Sequence, residues 1–348
     1  MKISTMLSYA GGFQDAVAEL VRLEREGLDT VWVAEAWGFD APSLMGYIAA
    51  KTEHVKIASG ILPLYSRTPA LLAMTAAGVD ALSGGRAMLG LGASGPQVIE
   101  GWHGVPYDAP VTRLREIIEI CRKVWRREPL VYRGRKYSLP LPEGQGTGLG
   151  KPLKMITHPL RSDIPIAVAS LGAKSVEVTA ELADAWLPVF WLASKARERW
   201  GAALRAGTQR RDPARRPLEV YVGGPVAIGD GLEALRDLGR PQMALYVGGM
   251  GARQKNFYNE LFASYGYERE AKQIQELFLA GKKAEAAAAI PSSFIEATTL
   301  IGPAGFVRER IAELRESGVT HLNVQLVGRS SDERLATLGR LQDLVATL

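Results

Sequence analysis

Short apolar runs alternate along this chain with longer stretches in which apolar residues recur every three or four positions. Residues 3–8, 30–35, 55–61, 86–92, 165–170, 183–189, 219–228 and 321–327 follow the strand pattern. Several of these are apolar throughout, as strands covered on both faces are. Between them, residues 13–26, 42–52, 69–82, 111–127, 174–182, 306–316 and 332–348 follow the helical pattern. In the first helix Ala16, Leu20 and Leu23 share a face and Gly27 is the stop; in the third, Pro69 suits the first turn and Ser83-Gly84-Gly85 ends it. Two stretches break the rhythm and read as insertions. One is 129–163, with a hairpin-like 130–137 and a Gly/Pro-rich run; the other is 240–300, with an Ala-rich helix near 284–289. Eight strand patterns joined mostly by short connections predict an α/β fold, a parallel (β/α)8 TIM barrel in one domain over 1–348, with insertions after strands 4 and 7.

Such a barrel carries its chemistry on the loops that follow the strands. Glu35, Gly60, Gly92 and Ser170 are therefore expected on the active face, and His54, Arg86 and the basic run 210–216 on the opposite one. The fourth strand ends in Gly92-Ala93-Ser94-Gly95-Pro96, a turn whose amides are left uncovered by side chains and suit a phosphate or a flat ring. Gly90, Gly92 and Gly95 also spell the dinucleotide fingerprint. That motif needs a following βαβ unit and an acid about 20 positions on; residue 115 is Arg, within a helical pattern, so the fingerprint is set aside.

Composition narrows the class. With 47% hydrophobic and 23% charged residues the chain reads as a soluble globular protein. No apolar run approaches the roughly 18 residues of a membrane span, and the first residues enter a strand pattern without a leader, so the cytoplasm is the expected compartment. Cys121 is the lone cysteine and shares a helical face with Ile117, Val124 and Trp125, which marks it as core. A net charge of +5 permits anionic ligands. The run 210–216 holds Pro213 and no interleaved aromatics, so it reads as a solvated loop and no nucleic-acid partner is expected. Four histidines without metal-ligand spacing predict no metal site.

Five blocks together resemble the luciferase-like superfamily of flavin and deazaflavin oxidoreductases. They are Trp32-Val33-Ala34-Glu35-Ala36-Trp37, Arg67-Thr68-Pro69, Asp80-Ala81-Leu82-Ser83-Gly84-Gly85-Arg86, Leu89-Gly90-Leu91-Gly92 and Ala183-Asp184-Ala185-Trp186-Leu187-Pro188. Residues 94–102 and 245–251 further resemble actinobacterial proteins that use coenzyme F420, with methylenetetrahydromethanopterin reductase a better-known relative. The resemblance implies a cofactor ring lying in the barrel mouth against a cis peptide carried over to Gly60-Ile61. It places the cofactor phosphate at Ala93, Ser94 and Gly95 with Ser170, Leu171 and Gly172, beside a cofactor-binding Gly92, the Ser170 segment opening a helix. Cations for an anionic tail would come from Arg67 and Lys174, with Lys195 and Arg197 as further candidates.

The resemblance departs from sugar-phosphate dehydrogenases at two positions. Ala36 stands where those relatives carry His, and Gly95 where they carry Glu, so sugar-phosphate oxidation is disfavoured. Glu35 remains the one acid at the rim; it would bond the ring, serve as acid or base, or pair with an arginine, while Trp37, Phe190 and Trp191, each following a strand, would wall a substrate pocket that residues 9–13 help to shape. The expected activity is hydride transfer between the deazaflavin C5 and a small organic substrate. FMN-dependent monooxygenation is the close alternative, and a non-catalytic flavin carrier a second. A phosphate-binding isomerase or aldolase would show a Schiff-base lysine or paired acids at strand ends, which are not seen. The resemblance also implies a homodimer or higher homo-oligomer, with no membrane partner.

Overall fold

A computed structural model describes residues 1–7, 12–251, 253 and 255–348. Of the expected pocket-shaping segment 9–13, residues 9–11 lie outside the described residues. The barrel strands are β1 (Lys2–Leu7), β2 (Thr30–Val33), β3 (Lys56–Ser59), β4 (Ala87–Gly92), β5 (Ile166–Ala169), β6 (Ala185–Trp186), β7 (Glu219–Val222, resuming as Pro225–Ile228) and β8 (His321–Leu326). All pair in parallel in that order, and β8 pairs with β1, Lys2 opposite His321, to close the barrel. The helix–strand alternation of the sequence thus reports a true (β/α)8 barrel.

Two apolar layers follow from the strand period of two. Trp32, Ala58, Met88, Ala167, Ala185, Leu187 and Tyr221 point inward and form their own cluster. Their neighbours Val31, Ile57, Leu89, Val168, Trp186 and Val220 point outward to the helices. Three strands are shorter or more broken than the apolar runs suggest, for local reasons. After β3 the Gly60-Ile61 bond is cis, and pairing resumes at Leu62–Pro63 against β4. β6 is held to two residues, and Pro188, lacking an amide, cannot extend it. β7 jogs at Gly223 and Gly224, where a Cβ would lie 2.3 Å from the Asn323 and Thr298 carbonyl oxygens respectively. Leu300–Gly302, at the end of the second insertion, is an unanticipated strand that pairs with Pro225–Ile228.

The first insertion is pinned rather than loose. Its hairpin pairs Tyr132 with Leu139 and Arg133 with Ser138, two residues beyond the expected end. The buried Glu116 carboxylate accepts the amides of Arg135, Lys136 and Tyr137. At the base of the barrel, Arg86 donates to the Thr52 and Val55 carbonyls at 2.8 Å and to the Ala49 carbonyl at 3.2 Å, satisfying the end of helix Ala41–Lys51. Buried Asp80 pairs with Arg161 and accepts the Ala87 amide. The Asp80–Arg86 block is therefore scaffold.

The same end of the barrel interior is closed by polar groups. Lys2 and Lys56 flank Asp29 at 2.9 and 3.2 Å, and His321 stacks on Tyr221 with ring centroids 4.2 Å apart. Burial holds the His321 imidazole below its ordinary range, against the pull of Glu219 at 3.8 Å and of Asp29. As pH falls, the unfolded chain then takes up a proton before the folded one. This contribution to stability is full above about pH 6.5 and is lost below it at up to ~1.4 kcal/mol per pH unit. Urea titrations across that window should show a shallower pH slope for His321→Gln than for the parent; parallel slopes would contradict the placement.

Candidate active site

Glu35 lies just past β2 and Arg67 in the turn that leads into helix Pro69–Leu82, whose N-cap is Thr68. The two side chains, 7% and 14% exposed, form a two-pronged pair, with Arg67 Nη1 donating to Glu35 Oε1 at 2.5 Å and Nη2 to Oε2 at 2.8 Å. Oε2 also accepts the Ala41 amide at 2.9 Å, at the start of helix Ala41–Lys51. Both oxygens of the acid are thereby engaged. Arg67, expected to offer its charge to an anionic tail, directs Nη1 and Nη2 at Glu35 in this structure. Of the three roles open to Glu35, the geometry displays the ion pair, which ties the loops after β2 and β3 together. Trp37, on the same loop, is more than half exposed, and its neighbour Phe39 packs on Phe13 at 5.8 Å.

The tips of β3 and β4 meet across the Ser59 hydroxyl. The Ser59 hydroxyl donates to the Gly90 carbonyl at 2.9 Å and accepts the Gly90 amide at 2.7 Å. A Cβ on Gly92 would stand 2.7 Å from Ile61 Cγ1, and one on Gly60 would stand 3.1 Å from Trp32 Cβ. Ile61 thus lies flat across Gly92, with Met6 beside Gly60 and partly exposed at the open end of the interior. This is a shallow apolar floor free of charge.

Two helix starts border that floor. Past Ala93, exposed Ser94 has φ 56°, and Gly95 begins the short helix Pro96–Gly101 with no side-chain cap. Across from it, Gly172 begins helix Ala173–Leu182, also without a side-chain cap, and Lys174 is exposed in its first turn. The Ser170 hydroxyl departs from expectation. It is buried against Thr179 Oγ1 at 2.9 Å, so it neither caps this helix nor faces an oxyanion. Its carbonyl accepts Trp186 Nε1, and that of Leu171 accepts Trp200 Nε1, which fixes the segment from behind. The groups this edge offers are backbone amides and Lys174.

The second insertion adds Tyr258, which sequence reasoning did not single out, to Tyr246 of the 245–251 block. Phe190, beyond β6, has φ 54° and meets Tyr246 and Tyr258 with ring centroids 5.9 and 6.1 Å apart. The insertion thereby reaches the loop after β6; aromatic spacing within 240–260 was the available signal. Trp191, expected as a pocket wall, is instead buried in a stack with Trp200 at 5.1 Å. Among the described residues no group of three or more His, Cys, Asp or Glu is arranged to hold a metal.

The luciferase-like monooxygenase family model matches residues 1–321. A Mycobacterium tuberculosis protein named as a coenzyme F420-dependent oxidoreductase is 39% identical over 348 residues, covering 98% of this chain and 99% of that one. The 5,10-methylenetetrahydromethanopterin reductase of Archaeoglobus fulgidus is 26% identical, over 88% of this chain and 91% of its own. The solved structure of the coenzyme F420 dependent tetrahydromethanopterin reductase of Methanopyrus kandleri aligns over 97% of both chains with a TM-score of 0.81 at 19% identity, a likeness of fold. With a closed eight-stranded barrel, a glycine-built floor at its mouth and a family match over most of its length, this chain belongs to the luciferase-like monooxygenase family.

Proposed function

We propose that this protein is a coenzyme F420-dependent oxidoreductase acting on a small organic substrate. The observation that carries the reading is the pairing of a charge-free floor with an uncapped, lysine-bearing helix start on one rim. That combination suits a planar ring with an anionic arm. When bound, the deazaflavin supplies a hydride acceptor or donor at its C5. The chain's own part is to hold and shield it. Ile61 and Gly92 offer the flat surface for the ring, because any side chain at residue 92 would occupy the space Ile61 fills. The amides at Ser94 and Gly95 and those at Gly172, Ala173 and Lys174 hold the phosphate, and Lys174 attracts the glutamyl tail. Glu35 and Arg67 fix the wall on which Trp37 stands and restrict water beside the ring. The 39% identical F420-named relative supports this cofactor over FMN. The assembly proposed is a homo-oligomer.

Parallel titrations with F420, FMN and NADP, read by deazaflavin or flavin fluorescence, test the proposal. Submicromolar binding of F420 alone is expected; preference for FMN would overturn it. Lys174→Glu should weaken F420 binding about tenfold, the effect of one partly screened charge reversal. It should leave the thermal midpoint unchanged, since Lys174 is exposed.

A further inference from the structure

A second hollow lies outside the bore of the barrel. The ends of β1 and β2 and the first turns of helices Phe13–Arg25 and Ala41–Lys51 border a cavity of about 460 Å³. Among the described residues its walls are chiefly Leu7, Phe13, Val33, Phe39, Leu44 and Tyr47. Leu7 and Val33 belong to the outward layer of their strands, so the cavity sits between barrel and helices. We propose that it takes the uncharged, apolar body of the substrate, whose reacting end passes over the strand tips to the floor at Ile61 and Gly92; calling this ligand a substrate rests on the oxidoreductase reading.

Three observations favour that occupant. The first is size and lining, since small-molecule sites are concave, mostly apolar and of roughly 300–1,000 Å³. The second is charge. Among the described residues Asp40 is the one charged group that lines the cavity, and its carboxylate already accepts the Ser43 amide at 3.1 Å and hydroxyl at 2.8 Å. An anion here would meet a carboxylate and no cation, so the cavity suits neither a phosphate nor the arm of the cofactor. The third is uncovered aromatic surface. Phe39 at 78% is the most exposed aromatic side chain among the described residues, although it packs on Phe13. Apolar area left in water at the rim of a cavity is area that a ligand covers. The cavity also lies next to the floor along the chain. Met6 stands beside Gly60 and Leu7, the next residue, lines the cavity; Ala34 lines it directly before Glu35, whose Oε2 accepts the Ala41 amide. The tips of β1 and β2 are thus the partition between the two.

Calorimetric titration of the cofactor-free full chain with decanol should show saturable binding at micromolar concentration. Decanoate, the same length of chain ending in a carboxylate, should bind at least ~10-fold more weakly. Phe39→Ala should weaken decanol binding about tenfold and keep the parent circular-dichroism spectrum, because the side chain is exposed. Ala34→Phe, which fills the cavity from the end of β2, should abolish uptake; if that variant misfolds, Phe39→Ala decides. Phe257→Ala, an exposed aromatic away from the cavity, should bind decanol as the parent does. With F420 bound, decanol should shift the deazaflavin absorbance band. Absence of saturable uptake, tighter binding of decanoate, equal losses in Phe39→Ala and Phe257→Ala, or decanol binding that leaves the band unmoved would each overturn the proposal. Decanol uptake by a protein that binds no F420 would overturn the cofactor reading and leave the apolar pocket standing.

Discussion

Gly90→Ala will destabilise the barrel by about 4 kcal/mol or more, among the largest effects a single methyl group can have. The added carbon would stand 1.7 Å from the Ser59 carbonyl oxygen, and that oxygen belongs to the backbone of β3. No rotamer change relieves such a contact. The tips of β3 and β4 must part, which breaks both hydrogen bonds between the Ser59 hydroxyl and Gly90. Because Gly60 and Ile61 follow Ser59 directly, the floor of the mouth moves with them. Calorimetry should show the thermal midpoint lowered by roughly 5–10 °C, and any protein that still folds should have lost deazaflavin binding disproportionately. Gly339→Ala is the control, open on all sides within helix Ser331–Ala346 and expected to be neutral or slightly stabilising. Equal melting of the two variants would refute the close approach at Gly90.

Arg67→Ala ranks next, at about 3–5 kcal/mol, because it strands a buried carboxylate. Glu35 would keep the Ala41 amide and lose both guanidinium bonds. Replacing both partners, Glu35→Leu with Arg67→Met, should recover stability to within ~1 kcal/mol of the parent, since two apolar side chains leave no charge unpaired. The cycle separates two roles for the arginine. A wall-forming Arg67 predicts that stability and cofactor binding fall together in the single variant and return together in the double. An Arg67 that reaches an anionic tail predicts weakened F420 binding in the double variant as well, and that result would reinstate it as a ligand.

The barrel was legible because its signals are local. Alternation places Trp32 inward and Val31 and Val33 outward, and such a period can be read within a few residues. Gly60-Ile61 and Gly92 were reached through block resemblance, and their meeting at the mouth depends only on strand order. The pairing of Glu35 with Arg67 was not legible in the same way. The two lie 32 residues apart, and nothing local distinguishes a rim acid that awaits a substrate from one held by a guanidinium. Ser170 misled for a related reason. A serine before a helix usually faces the first-turn amides, but here Gly172 takes the cap position and the hydroxyl turns back to Thr179. The strand Leu300–Gly302 was hidden because three residues carry no period. The Asp80–Arg86 block resembles functional sequence, yet its charges are consumed by helix ends and Arg161.

Among the described residues, the stacked His321 and Tyr221, together with Asp29 and its two lysines, fill the barrel end opposite the mouth. A vessel with one opening imposes a sequence of events. Whatever settles first against Ile61 and Gly92 is covered by whatever comes next, and must wait for the later arrival to depart. A single mouth therefore releases its contents in the reverse of the order in which they entered, last in and first out.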